Sequence, residues 1–185
     1  MPMRRSVFYL IGGLGLGILL GVFMIFGLEE IKFPFDLSVW LGPKSPAVGD
    51  LAPDFELQTL SGESIQLSKL QGRPVLLNFW ATWCGPCSQE IPLLRDTAKA
   101  YPDELNVVMV DDGETAEKVR EFMAQWKYSP IIGLDANRKV NNAYAVHALP
   151  TTYFLDADGR IQVIHVGLLT REWMTDYLHK IGIDP

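Results

Sequence analysis

The longest apolar stretch of the chain runs from Ser6 to Leu28, 23 residues without a charge, between Arg4 and Arg5 on one side and Glu29 and Glu30 on the other. As a helix it extends roughly 34 Å at ~1.5 Å per residue, enough to cross a bilayer core with some tilt. The basic flank predicts that residues 1–5 stay in the cytoplasm and that everything after Leu28 faces outward. A cleaved signal peptide is the rival reading, but it wants a shorter run and a small-residue site, and Met24-Ile25-Phe26-Gly27-Leu28-Glu29 offers none. Gly13, Gly17 and Gly21 share one face of the helix, a spacing that lets two membrane helices approach or merely reflects how common glycine is there. Arg4-Arg5 is read as an ordinary positive flank rather than a twin-arginine export signal. Residues 29–49, with Pro34, Pro43 and Pro46 and no apolar period, predict a spacer, with Phe33, Phe35 and Trp40 at headgroup level.

From Asp50 to the end, residues 50–185, the pattern is that of one domain. Phe55–Leu57 and Ile65–Leu67 flank the turn Ser61-Gly62 and predict a hairpin. Pro74–Trp80 is almost continuously apolar, as a strand buried on both faces requires. A helix is predicted over 85–101, with Ile91, Leu94 and Ala98 inward and a kink at Pro92. Leu105–Val110 predicts a second buried strand. Val119, Phe122, Met123 and Trp126 fall at i, i+3, i+4 and i+7 and make 114–127 an amphipathic helix. A short helix over 139–145 follows, then strands 151–155 and 160–166 joined by Asp156-Ala157-Asp158-Gly159. Thr170 caps a last helix with Trp173, Tyr177 and Ile181 inward. Strands alternating with helices and a late hairpin predict an α/β fold, a mixed sheet covered on both faces.

Composition narrows the function. With 48% hydrophobic residues and 11% aromatics among 185, the chain buries a real core. Of its 16 Lys and Arg, two precede the first apolar run, so the remaining 14 face all 22 Asp and Glu. An acidic body of this kind excludes a nucleic-acid footprint. Two cysteines exclude a multi-disulfide scaffold and a four-thiolate zinc site.

Those two cysteines stand in Trp83-Cys84-Gly85-Pro86-Cys87, where a strand runs into a helix. Residues three apart share a helix face, which brings the sulfurs within disulfide reach. Cys84 at the helix N-terminus gains thiolate character from free N–H groups and the dipole, and Pro86 is tolerated in the first turn. Cys87, one turn in, is placed to resolve a mixed disulfide by attacking Cys84. A zinc half-site needs two more ligands, and His147, His165 and His179 are neither paired nor near the motif. A structural disulfide closing so small a loop is a poor staple. Redox chemistry is the reading that remains, with no cofactor and no metal.

Phe79-Trp80-Ala81-Thr82-Trp83-Cys84-Gly85-Pro86-Cys87 resembles the active-site segment of thioredoxin-fold proteins. Gly49-Asp50-Leu51-Ala52-Pro53-Asp54-Phe55 with Leu60-Ser61-Gly62, and Tyr144-Ala145-Val146-His147-Ala148-Leu149-Pro150-Thr151-Thr152 with 156–161, extend the resemblance to the membrane-anchored TlpA/ResA/CcmG (DsbE) group over about 49–181. It implies a thioredoxin-like fold with an N-terminal hairpin extension and an inserted strand and helix, preceded here by one transmembrane helix. It further implies an extracytoplasmic thiol–disulfide oxidoreductase of the cell membrane that reduces oxidised protein thiols. Apocytochrome c is the first expected substrate, and a CcdA- or DsbD-type membrane carrier the electron donor. Pro150 matches the family's cis-proline, although sequence alone makes it a strand-start proline. The substrate-binding surface is expected at Trp83, Gly85, Pro86, Leu149 and Pro150, with the Leu149 backbone offering strand-like hydrogen bonds.

Glu90 lies three residues after Cys87, on the cysteines' helix face, where the group resembled has a glutamate. A carboxylate there disfavours a thiolate and can carry a proton, so Glu90 joins Cys84 and Cys87 as a candidate catalytic residue. Asn78 stands where thioredoxin has a buried aspartate, which leaves Glu90 as the proton carrier. Trp80 and Trp83 are placed to shield the sulfurs from water. Gly-Pro between the cysteines is thioredoxin's dipeptide and favours reduction. A disulfide-introducing oxidase uses the same residues in reverse. A thiol peroxidase needs a Thr-x-x-Cys without a neighbouring partner, whereas Thr82 is two before Cys84. A copper-delivery protein wants one more residue between the cysteines, with His147 or His165 supplying an imidazole.

Overall fold

The computed structural model describes residues 45–126 and 128–184. The anchor expected at 6–28, residues 1–5 and most of the spacer lie outside the described residues. Among those described, no helix is long and apolar enough to cross a membrane.

The two apolar runs of the body become the centre of a sheet. β3 (Val75–Trp80) and β4 (Asn106–Asp111) are buried at every position. Each strand feeds two cores at once: Leu76, Trp80, Val107 and Met109 point into one, and Val75, Leu77, Phe79, Val108 and Val110 into the other. Alternation is lost from such sequences because both faces are dry. β3 and β4 are parallel, so the chain must cross over, and it does so through α1 (Gly85–Ala100).

A small antiparallel hairpin, β1 (Glu56–Gln58) and β2 (Ser64–Gln66), precedes these strands. After β4 come α2 (Ala116–Met123), β5 (Ile131–Gly133) and α3 (Lys139–Ala143), then β6 (Thr151–Leu155), β7 (Ile161–Val166) and α4 (Arg171–Lys180). The sheet order is β5-β4-β3-β6-β7, with β6 alone running antiparallel to the rest. Side chains of α1, α2 and α4 fill one core, while the hairpin and α3 cover the other.

β5 is the element that the sequence pattern passes over. Three residues between Pro130 and Leu134 are too short to show a period. Its free edge is closed by the hairpin, through Leu134 N–H to Gln58 C=O and Leu60 N–H to Ile132 C=O. Gly133 is needed for that approach, since a Cβ there would lie 2.8 Å from Leu57 Cδ1.

The last helix corrects one expectation. Trp173 is 48% exposed, and Met174, Tyr177, Leu178 and Ile181 are the inward residues. Those four sit at i, i+3, i+4 and i+7, whereas 173, 177 and 181 drift off one face at about 100° per residue. Thr170 does cap this helix, accepting from Trp173 N–H. The helix α1 runs unbroken through Pro92.

Candidate active site

The sheet gathers its functional loops at one end. Strand β3 leaves the sheet at Trp80, paired with Asp111 at the C-terminal end of β4. On the other side, Phe79 pairs with Thr151, the first residue of β6, and Thr151 pairs with Val166, the last of β7. The segments 81–84, 112–115, 148–150 and 167–170 therefore crowd the same edge.

Cys84 is the N-cap of α1, in an extended conformation, with Gly85 and Pro86 as the first two helical residues. Its sulfur is disulfide-bonded to Cys87, with the Cα atoms 5.2 Å apart, and accepts the Cys87 N–H at 3.2 Å. That contact is the geometric basis of N-terminal activation, because a donor already faces the sulfur that would carry charge. Cys84 is 5% and Cys87 1% exposed, so Cys84 is the outer residue of the pair. Gly85 and Pro86 are exposed, and Trp83 is 64% exposed. Trp83 thus stands in solvent beside Cys84, while Trp80 is fully buried against Phe122.

The Leu149–Pro150 peptide is cis. Pro150 is buried, Leu149 half-buried, and Pro150 C=O accepts from Gly167 N–H at 2.8 Å. That bond joins the proline loop to the segment after β7.

Glu90 lies one turn beneath Cys87, 1% exposed. Its Oε1 accepts from Asn78 Nδ2 at 2.6 Å and its Oε2 from Leu169 N–H at 3.0 Å. Burial pushes its pKa up from 4.5 to about 7, against the pull of the Leu169 and Asn78 donors. A carboxyl held near neutrality under a cysteine pair can give up or take a proton at physiological pH.

A second acidic cluster on the other side of the loop was not singled out from sequence. Glu114 accepts from both the backbone N–H and the hydroxyl of Thr82, each at 2.6 Å, and pairs with Lys118. Burial alone would raise its pKa, but Lys118 and Thr82 outweigh it and hold the carboxyl below its usual range. Asp111 accepts from Glu114 N–H at 2.8 Å. Its own pKa is pushed up to about 7, by burial first and by the Glu114 and Asp112 charges as well. Together they pin the segment leading into Cys84. The available signal was an acidic run, Asp111-Asp112-Gly113-Glu114, at the C-terminal end of a central parallel strand, where α/β sheets place their sites.

Among the described residues no three His, Cys, Asp or Glu side chains cluster as a metal site. His165 is engaged with the Tyr177 hydroxyl and the Leu168 carbonyl, and His179 with Asp184.

The profile of the AhpC/TSA family matches residues 48–164. The thioredoxin-like protein YneN of Bacillus subtilis is 47% identical over 133 residues, 70% of this chain and 78% of that protein. The thiol-disulfide oxidoreductase ResA of the same organism is 35% identical over 145 residues, 78% and 81% of the two chains. Among solved structures, a Chlorobium tepidum protein described as a thiol:disulfide interchange protein DsbE superposes with a TM-score of 0.70 at 30% identity, over 75% of this chain and 100% of its own. StoA of Bacillus subtilis gives 0.60 at 27% identity, over 69% of this chain and 97% of its own.

Proposed function

The chain belongs to the AhpC/TSA family and to its TlpA/ResA/CcmG thiol–disulfide oxidoreductases, and from that membership we propose that it is a membrane-anchored reductase acting outside the cytoplasm. Its expected substrates are disulfides in exported proteins, apocytochrome c first among them. The observation that carries this reading is a redox disulfide at a helix N-cap with a buried carboxyl, Glu90, beneath it.

In the dithiol form the Cys84 thiolate attacks a substrate disulfide, one S–S bond breaks, and a mixed disulfide forms. The leaving substrate thiolate takes a proton. Cys87 then loses its proton and attacks Cys84, releasing the second substrate thiol and leaving the Cys84–Cys87 disulfide. Substrate gains two electrons and two protons, and the enzyme loses them. Glu90, on the same helix face as Cys87, is the group that accepts the Cys87 proton. The exposed Trp83, Gly85 and Pro86, with the half-buried Leu149 and the cis Pro150, form the surface on which a substrate strand is laid. Restoring the dithiol outside the cytoplasm requires a membrane carrier of the CcdA or DsbD type. The 23-residue run at 6–28 holds the domain where that carrier is.

The reduction potential tests the direction. Equilibration of the full chain in detergent against dithiothreitol should give a value well below about −220 mV, beneath the glutathione range. A value near about −120 mV would make it a disulfide donor instead.

A further inference from the structure

The hydrogen bonds around Glu90 fit its ionised form and leave one atom over. Asn78 Nδ2 donates to Glu90 Oε1 at 2.6 Å and to Thr152 Oγ1 at 3.0 Å. The amide oxygen of the same side chain, Oδ1, is buried and without a partner. Leu169 N–H holds the other carboxylate oxygen. With this arrangement both partners of Glu90 are N–H donors, so a proton on the carboxyl would find no acceptor among them.

Rotating the Asn78 amide by half a turn removes the conflict. Its nitrogen and oxygen are nearly the same size, and their positions are assigned from the bonds they make. Inverted, Oδ1 faces Glu90 and Thr152 and accepts from the carboxylic acid O–H and from the threonine hydroxyl. Leu169 N–H keeps Oε2, now the carbonyl oxygen of the acid. Each orientation makes two bonds at Asn78 and leaves one amide atom unpartnered, so the proton on Glu90 decides between them.

We propose that Asn78 is a positioning residue with two states, donating to the Glu90 carboxylate and inverting to accept from the Glu90 carboxylic acid, so that Glu90 exchanges its proton in place. The inference rests on Glu90 as the proton carrier of the cysteine pair. The titratable groups on the elements around it are the two cysteines, the mutually paired Arg95 and Asp96 and the exposed Lys99 on α1 and its N-cap, His165 on β7, Tyr177 and the exposed Arg171, Glu172, Asp176, His179 and Lys180 on α4, and Asp111 and Glu114 at the end of β4. His165 occupies the next place in the row across the sheet, Asn78 pairing with Thr152 and Thr152 with His165. Its imidazole is turned to Tyr177 and Leu168. Among the described residues no charged side chain shifts Glu90, whose proton affinity is raised by burial and lowered by the Leu169 and Asn78 donors.

The test is nuclear magnetic resonance of the full oxidised chain labelled with ¹⁵N-asparagine and ¹³C-glutamate, followed from pH 5 to 9. The Asn78 NH₂ resonances should shift with the same midpoint as the Glu90 carboxyl, and E90Q should abolish that shift. In N78L both protonation states of Glu90 lose a partner, so its midpoint should move by less than about one pH unit, tenfold in proton affinity. If Asn78 is a donor only, N78L loses support for the carboxylate alone, and the midpoint should rise by more than that. Such a rise, or Asn78 resonances indifferent to the Glu90 proton, overturns the inversion even if N78L folds poorly, because the unmodified chain gives the second reading. An E90Q chain whose thiol–disulfide exchange keeps the wild-type pH profile instead refutes Glu90 as the proton carrier, with the amide's behaviour judged separately.

Discussion

Replacing Glu90 by glutamine should make the protein more stable at neutral pH, and the gain should vanish in acid. Unfolded, the carboxyl ionises near 4.5, whereas in the fold it keeps its proton to about 7. Below 4.5 both states hold the proton and burial carries no ionic cost. As pH rises from there to about 7, only the unfolded chain releases it, so stability falls. Two and a half units at ~1.4 kcal/mol each amount to about 3 kcal/mol, an order-of-magnitude figure. Glutamine fills the same space, can accept from Leu169 N–H, and cannot ionise. Asp111, also raised to about 7, adds a similar slope to both proteins and cancels in the difference. The assay is urea unfolding of the oxidised forms, disulfide intact, at several values between pH 4 and 8. The E90Q advantage should grow by about 3 kcal/mol across that window. A difference that stays flat with pH would refute the claim that Glu90 is a buried acid titrating near neutrality.

Glu114→Ala should cost about 2 kcal/mol in chemical unfolding, because Thr82 N–H loses its acceptor inside a half-buried loop. The same variant should slow disulfide exchange, which a stopped-flow fluorescence assay reads, whereas an unchanged rate would separate the loop clamp from the chemistry. Cys87→Ala should accumulate a mixed disulfide between Cys84 and its target, seen as an added mass that dithiothreitol removes, and Cys84→Ala should not. Trp83→Ala should leave stability within ~0.5 kcal/mol, since the side chain is 64% exposed, yet slow reduction of a protein disulfide more than that of a small one. Equal slowing of both would place Trp83 outside the docking surface.

Long signals were readable from the sequence and short ones were not. β3 and α1 announce themselves because a six-residue dry run and a Cys-x-x-Cys spacing leave few other structures open. β5 is set by neighbours: three residues become a strand because β4 lies on one side and the hairpin on the other. Trp173 misled for a related reason. A tryptophan reads as core, yet here it stacks on Tyr177 from outside while Met174 takes the inward place. At the site, spacing placed Glu90 on the cysteines' face, but nothing local says that it is held by Asn78, twelve residues upstream, and by Leu169, seventy-nine downstream. The Glu114 grip on Thr82 spans thirty-two residues and was equally invisible.

Two glutamates flank the active-site loop, and their surroundings set them to opposite tasks. Glu114 has a lysine and two donors from Thr82, enough to overcome burial, so it stays charged and serves as a fixed clamp. Glu90 has two uncharged donors and no cation, too little to overcome burial, so its proton is loosely held near pH 7. Adding a cation beside Glu90 would stabilise the fold and lower that pKa, and a permanently ionised carboxylate would then sit beneath the cysteines. It would repel the Cys84 thiolate and, as a weaker base, accept the Cys87 proton poorly. In the proposed mechanism, the energetic penalty of about 3 kcal/mol is what keeps the proton exchangeable where a two-electron, two-proton reaction needs it.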